Sequence, residues 1–216
     1  MTMVADLPER RAPAGRNELA PLFSHSVGAA LRQGEPAVLL DHPGGAVLVQ
    51  PAATVTAASL HFAIRHSSGL IHAAMPSADL DRLRIPDQPV LSIEDRGTGF
   101  TVAVDAAAGI GTGISAADRA HTLRVLADPG TAPADLIRPG HVLPIRCSDD
   151  GYAGRRRVWE LAVDFVRAAG HAPVAMACRL VDDDGDILTR DAAVEFGFTH
   201  RIAISPGTAG GSRDAR

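Results

Sequence analysis

Aromatic residues, cysteines and long apolar runs are scarce in this sequence, and each scarcity excludes a class of protein. Aromatic residues make up 4% of the 216 residues, so aliphatic side chains must build most of the core. Cys147 and Cys178 are too few for a disulfide framework or a cysteine zinc site, and we expect both to be reduced. Because no apolar run reaches about 18 residues, no membrane-spanning helix is expected.

The charge balance argues against a dedicated nucleic-acid binder. The chain has 21 Lys and Arg residues against 25 Asp and Glu residues, a formal net charge of -4. Its N-terminal segment lacks the apolar core of a signal peptide. We therefore expect a cytoplasmic globular protein that binds neither nucleic acid nor membranes.

Strand-like and helical segments interleave irregularly between two tails. Residues 1–19 and 206–216 have no periodicity and are predicted to be flexible. Residues 20–205 contain short apolar runs and amphipathic stretches, so we predict one α/β (α+β-like) domain with a mixed sheet. Thr54 and Ser115 are predicted to cap two of its helices.

Four segments carry a resemblance to a known enzyme family. They are AIRHSSG at 63–69, GTGFTV at 97–102, GTGISAADRAHTLR at 111–124 and RPGHVLPIR at 138–146. In this order and spacing they resemble 3,4-dihydroxy-2-butanone-4-phosphate synthase over essentially the whole predicted domain. The resemblance implies a three-layer domain with a mixed twisted sheet and a homodimer. It also implies a magnesium-dependent lyase that converts ribulose 5-phosphate to the four-carbon precursor of riboflavin and releases formate.

The turn DHPGG at 41–45 departs from the family pattern, in which this loop reads roughly D-D-E-D-R-E-N-E-G-D. Asp41 matches the first Asp, but the metal-binding Glu and the ketose-binding Arg have no counterparts. Val158 stands where the family has its second metal ligand, a His, and Arg179 stands where it has a catalytic Glu. Because Mg²⁺ prefers oxygen ligands, we expect that no magnesium and no other cofactor binds at the family position.

Three side chains are predicted to transfer protons, because carboxylates and near-neutral imidazoles suit general acid–base catalysis. His141 matches the family's catalytic histidine; the alternative is a buried imidazole that stabilises the turn at Pro139. His72, on an apolar strand, is either a hydrogen-bonded core residue or part of a pocket wall. Asp41 is the third candidate, as the acid that the shortened turn retains.

Further side chains are predicted to bind a small anionic ligand; they are Thr98, Thr112, Arg155, Trp159 and Arg179. Arg155 matches the family's phosphate-binding arginine, whereas Trp159 replaces a phosphate-binding threonine and either narrows the pocket or belongs to the core. Arg179 lies in an apolar strand and needs a ligand, an acid or a partner subunit, since an unpaired buried guanidinium is costly. Arg156 and Arg157 replace two family glycines, and either face solvent or make the pocket cationic.

Three functions remain open from the sequence. The first is a divergent enzyme of isomerase, dehydratase, cyclase or lyase type, acting without metal on a small anionic or carbonyl-bearing metabolite in specialised metabolism. The second is a non-catalytic paralogue that binds a ligand or a partner subunit. The third is a synthase that retains the family reaction in riboflavin biosynthesis. A pocket that Trp159 and the arginines fill would favour the second function, and a closed, empty one the first.

Overall fold

The structure is a computed structural model that describes residues 24–41, 45–90 and 98–206. The N-terminal tail predicted at 1–19 lies outside these ranges, as does the C-terminal tail after Pro206. The limits of the domain therefore remain predictions. None of the helices within the described ranges has the length and apolar character needed to cross a membrane.

Helices and strands follow one another along the described chain in an irregular order, as the sequence predicts. They are α1 (His25–Arg32), β1 (Ala37–Leu40), β2 (Ala46–Pro51), α2 (Ala57–Arg65), β3 (His72–Pro76), α3 (Ser77–Arg82), β4 (Gly99–Phe100), β5 (Val104–Ala106), α4 (Ala116–Ala127), β6 (Leu136–Cys147), α5 (Gly151–Gly154), α6 (Val158–Ala168), β7 (Ala175–Arg179), α7 (Arg190–His200) and β8 (Ala203–Ile204).

One mixed sheet runs through the molecule in the order β4–β6–β3–β7–β2–β1–β8, with β5 also paired to β6. β2 is antiparallel to both β1 and β7, and β7 is antiparallel to β3. β3 is parallel to β6 and β1 is parallel to β8. These directions confirm the predicted mixed sheet, and they bring the ends of β1 and β7 to the same edge as the starts of β2 and β3.

Helices cover both faces of this sheet. Successive side chains of a strand point to opposite faces, so Val38 of β1 packs in one core with Leu60 of α2. Leu39, the next residue, packs in a second core with Leu31 of α1 and Phe165 of α6. All residues of β1, β2 and β3 are buried, as expected for strands covered on both sides. The predicted three-layer α/β domain is therefore confirmed.

Hydroxyl side chains mark the starts of two helices. The Ser115 hydroxyl accepts a hydrogen bond from the Asp118 N–H at 3.0 Å, as predicted for the cap of α4. The predicted cap of α2 is wrong by two residues, because Thr56 rather than Thr54 caps the helix and forms a capping box with Ser59. The Thr54 hydroxyl instead donates to the Gly34 carbonyl, which ties the end of α1 to the start of α2.

Candidate functional site

The strand directions bring Asp41, His72 and Arg179 to the same end of the strands in the sheet. Asp41 follows the last residue of β1, Arg179 is the last residue of β7, and His72 is the first residue of β3. β1 and β7 run in the same direction because each is antiparallel to β2, whereas β3 runs against β7. Residues 42–44 of the turn that follows Asp41 lie outside the described residues.

Arg179 forms an ion pair with Asp41, which is one of the partners that the sequence leaves open for it. Its Nη2 donates to the Asp41 Oδ2 at 2.7 Å, and its guanidinium carbon lies 5.5 Å from the centre of the Trp159 ring. Gly45 lies beside this pair with a φ of +99°, and a Cβ there would come within 2.8 Å of the Ile187 Cγ2, so a larger residue is disfavoured. Arg179 is thus held between an acid and an aromatic face.

His72 is packed between two aromatic rings. Its ring centre lies 5.2 Å from that of Trp159, edge to face, and 5.7 Å from that of Phe100, stacked. The Nδ1 atom lies 3.3 Å from the Leu143 carbonyl oxygen. Burial lowers the pKa of His72 to about 4, with the nearby Arg179 charge acting in the same direction. His72 is therefore a neutral side chain near pH 7.

A cavity of about 430 Å³ lies next to this stack, because Phe100 contacts His72 and also lines the cavity. Its lining residues are Asp87, Gln88, Val90, Thr98, Gly99, Phe100, Arg146, Arg155 and Arg157. Thr98 and Arg155 are thus the predicted ligand-binding residues that the structure brings to this cavity. Asp41 and Arg179 do not line it among the described residues, and the rings of Trp159, His72 and Phe100 connect Arg179 to it.

A buried carboxyl stands behind the cavity wall. Glu160 of α6 is 1% exposed, and its Oε1 accepts from the Ser148 N–H at 3.3 Å and lies 3.5 Å from the Arg155 Nη1. Burial raises the pKa of Glu160, while Arg155 and Arg157 pull it down. Backbone hydrogen bonds and the two guanidinium groups thus oppose the effect of burial on this carboxyl.

His141 forms a second cluster, with Asp105 of β5. Its Nδ1 lies 2.6 Å from the Asp105 Oδ2, and its backbone N–H donates to the Asp105 Oδ1 at 2.9 Å. Asp105 is buried, whereas the His141 side chain is 37% exposed. With Nδ1–H donated to the carboxylate, Nε2 is left as the proton-accepting atom. The alternative of a buried, turn-stabilising imidazole does not describe this half-exposed ring.

The loop that contains Thr112 closes over this pair. Gly113 has a φ of +88°, and a Cβ there would collide with both Asp105 and His141. The Asp118 carboxylate accepts from the N–H groups of Gly111 and Gly113, at 3.2 and 3.1 Å. Thr112, between those glycines, is exposed and directly precedes the glycine that lies against His141.

The His141–Asp105 cluster and the stack around His72 lie toward the same end of the strands, because His141 precedes Leu143, the strand partner of His72. The sequence-based set is therefore divided: Arg155 and Thr98 line the cavity, while Asp41, Arg179, Trp159 and His72 form the adjoining stack. Thr112 and His141 lie together on the Asp105 side.

Several residues of the site were not predicted as such. Phe100 and Arg146 lie within the segments quoted above, but only strand pairing brings them together: Phe100 lies opposite Ile145, and Gly99 opposite Arg146. Asp105 carried a usable signal, since an acid in an otherwise apolar strand needs a buried partner.

Comparison with known proteins gives the same family throughout. The family model described as 3,4-dihydroxy-2-butanone 4-phosphate synthase matches residues 25–208. The riboflavin biosynthesis protein RibBA of Salinispora arenicola is 40% identical over 179 residues, which are 82% of this chain but 43% of that relative, so the chain spans less than half of its length. The 3,4-dihydroxy-2-butanone 4-phosphate synthase of Escherichia coli K12 is 35% identical over 82% of both chains.

A solved structure agrees with these relatives. The crystal structure of a 3,4-dihydroxy-2-butanone 4-phosphate synthase in complex with two magnesium ions superposes with a TM-score of 0.78 at 37% identity. The aligned region covers 82% of this chain and 89% of that one.

That structure contradicts the prediction that this chain needs no magnesium, because a similar protein of the same fold carries two magnesium ions. The prediction was wrong in its physical premise: Mg²⁺ is often held by one or two carboxylates, while water and substrate oxygens supply its other ligands. Substitutions at Val158 and in the turn after Asp41 therefore do not exclude a metal. Asp41 is a described carboxylate at this place, and residues 24–41, 45–90 and 98–206 hold no group of three potential metal ligands.

Proposed function

This chain belongs to the 3,4-dihydroxy-2-butanone 4-phosphate synthase family, and we propose that it is an enzyme that acts on a phosphorylated ketose in riboflavin biosynthesis. The observation that carries this proposal is the cavity that Arg155 and Thr98 line, together with a separate cluster toward the same end of the strands, in which a buried carboxylate holds a histidine. A guanidinium and a hydroxyl suit a phosphate group, and an oriented imidazole suits proton transfer.

The side chains of this protein divide the work of such a reaction. Arg155 binds the phosphate and fixes the position of the sugar. His141 accepts a proton at Nε2, because Asp105 holds the proton at Nδ1 and stabilises the imidazolium that forms. Phe100, with His72 stacked behind it, forms an apolar wall that excludes water from one side of the ligand.

A bound magnesium ion would supply Lewis-acid stabilisation of the enediolate oxygens. Asp41 is the described carboxylate that would take part in holding it, and the described residues do not form a complete metal site by themselves. For this reason the experiment tests the metal directly.

The experiment incubates the purified full-length protein with ribulose 5-phosphate and measures formate release, with Mg²⁺ and with EDTA. We expect formate release with Mg²⁺, its loss in EDTA and its recovery when Mg²⁺ is restored. His141→Ala should abolish turnover, whereas His61→Ala, on the exposed face of α2, is the matched control and should retain it. Wild-type protein that releases no formate under any of these conditions would refute the proposal.

A specific observation favours a second function, that of a non-catalytic paralogue that binds a ligand. Arg179 lies between Asp41 and Trp159, and these side chains occupy space at the edge of the sheet. On this alternative, the protein binds ribulose 5-phosphate in a calorimetric titration but releases no formate, with or without Mg²⁺.

We also propose that the protein is a homodimer. Ile114 and Ile137 are 53% and 47% exposed, and both are near neighbours in the chain of the His141 cluster. Large exposed aliphatic side chains are typical of surfaces that a partner covers. Light scattering after size-exclusion chromatography should give twice the 22.5 kDa chain mass, and a monomer at micromolar concentration would contradict the proposal.

A further inference from the structure

Arg157 lines the cavity on the same side as Arg155. It is the residue before α6, and its backbone N–H donates to the Arg155 carbonyl at 3.0 Å, which keeps the two residues together. Its Nη1 atom is buried and has no hydrogen-bond partner in the described part of the chain. A buried guanidinium nitrogen without an acceptor is costly, so this atom calls for an acceptor from a ligand.

The other cavity arginines are already engaged. Arg146 forms ion pairs with Asp87 at 2.6 Å and with Asp81 at 2.9 Å. Arg155 donates to the Arg146 carbonyl at 3.3 Å, and its Nη1 lies 3.5 Å from the Glu160 carboxylate. Glu160 also attracts the Arg157 charge, but unlike Arg146 and Arg155 the Arg157 side chain forms no ion pair with an acid among the described residues.

The start of α6 adds to this positive potential. The helix runs for 11 residues from Val158, and its N-cap residue, Arg157, gives it no side-chain cap. The first N–H groups of a helix carry a partial positive charge that favours anions. The guanidinium of Arg157 and this helix end thus act in the same direction, and Glu160 in the first turn of α6 offsets part of both charges.

We infer that Arg157 binds the phosphate group of the ligand together with Arg155, and that it makes the cavity selective for a phosphomonoester dianion. Two guanidinium groups can bind separate oxygens of one phosphate dianion. A ligand with a singly charged or neutral group in that place would form a weaker interaction with them. The family pattern has glycine at this place, so Arg157 acts as a specificity-determining residue that this pattern does not include. The inference rests on the proposed function for the identity of the ligand.

The test is calorimetric titration of the full-length protein with ribulose 5-phosphate and, separately, with inorganic phosphate. Arg157→Gln should weaken the binding of both by about tenfold, as expected for the loss of a charge-assisted hydrogen bond. Arg157→Lys should restore part of that loss, because it keeps the charge. Arg156→Gln is the matched control: it removes the same charge from an exposed neighbour whose guanidinium lies over the Tyr152 ring, 5.6 Å from its centre.

Equal weakening by Arg156→Gln and Arg157→Gln would overturn the inference, since only overall charge would then matter. Unchanged affinity in Arg157→Gln would overturn it as well, as would wild-type protein that binds neither phosphate compound. Thermal unfolding of each variant shows whether a loss of binding reflects a loss of fold. If Arg157→Gln does not fold, the affinity of Arg157→Lys is compared with that of the wild type instead.

The formate assay separates this inference from the proposed function. Turnover by the wild type with an unchanged KM in Arg157→Gln leaves the proposed function standing and refutes the role of Arg157. Binding of ribulose 5-phosphate that depends on Arg157, without any formate release, supports the inference and refutes the proposed reaction.

Discussion

Replacing His72 with glutamine should remove much of the acid sensitivity of this fold. His72 is 4% exposed and is packed between Trp159 and Phe100. A protonated His72 would lack, in the folded protein, the hydration that stabilises its charge in the unfolded chain. Its pKa falls from 6.5 to about 4 in the folded protein, mainly because of burial. Glutamine keeps a donor toward the Leu143 carbonyl but does not titrate.

The sign and size of the effect follow from proton linkage. Between pH 6.5 and about 4 the unfolded chain binds a proton at His72 that the folded chain does not, so acidification favours unfolding. The loss of stability begins as the pH falls through 6.5 and is complete below about 4. It amounts to about 2 kcal/mol at pH 5 and about 3 kcal/mol at the acid limit.

Urea unfolding at pH 7.5 and pH 5.0 measures this difference. Trp159, the single tryptophan, reports on the packing around His72 by fluorescence, and far-ultraviolet circular dichroism provides a second signal. With an m-value of about 2 kcal/mol/M, His72 should account for a fall of about 1 M in the midpoint of the wild type on going to pH 5.0. His61→Gln, at an exposed position on α2, is the matched control and should behave like the wild type.

Other shifted groups do not obscure the comparison. Burial also lowers the pKa of His66 and raises the pKa values of Glu160 and Asp164, but these groups are present in both proteins. Only the difference between the wild type and His72→Gln is assigned to His72. If both proteins lose the same free energy between pH 7.5 and 5.0, the folded His72 is not held neutral by its surroundings and the reasoning fails.

Three further results are expected. Asp105→Asn should lower kcat for formate release by on the order of 100-fold with little change in KM, because His141 loses the carboxylate that orients it; an unchanged kcat would contradict this role. Gly140→Ala should lower the free energy of unfolding by about 3 kcal/mol or more, measured in urea, because its Cβ would collide with the backbone of Val104 and Asp105. Ser115→Ala should cost about 1 kcal/mol in the same assay through the lost cap of α4, and a neutral result would show that Asp118 and its loop hold the helix start alone.

The fold could be predicted in outline because apolar periodicity and the quoted motifs agree. The strong helix at Ala116–Ala127 and the buried run at Ala37–Leu40 are both read directly from their patterns. The alternation of apolar and polar residues in GTGFTVAVDA predicts one strand, but the structure divides this segment into β4 and β5. Both parts pair with β6, which is long enough to bond one of them at each end.

The site was less predictable, because its contacts are tertiary. The need of Arg179 for a partner followed from the cost of a buried charge, and Asp41 was among the possible partners. That Phe100 reaches His72 depends on strand register, which no local pattern encodes. The sequence left open whether Arg157 faces solvent or the pocket, and where α6 begins decides that it lines the cavity. The magnesium prediction failed because it compared residue types position by position, whereas a hydrated cation requires few protein ligands.

The two edge strands of the sheet limit how this protein can associate with itself. On one side the outermost strand, β8, is two residues long. On the other, β4 and β5 are two and three residues long, and the N–H of Gln88 and the carbonyl of Pro86 are bonded to the flank of β4. A row of unpaired backbone groups is what allows one chain to extend the sheet of another. Within the described residues, neither edge offers such a row over the length of a normal strand. Strand addition and the aggregation that it seeds are therefore disfavoured there, and contacts between side chains are the expected way for copies of the chain to associate.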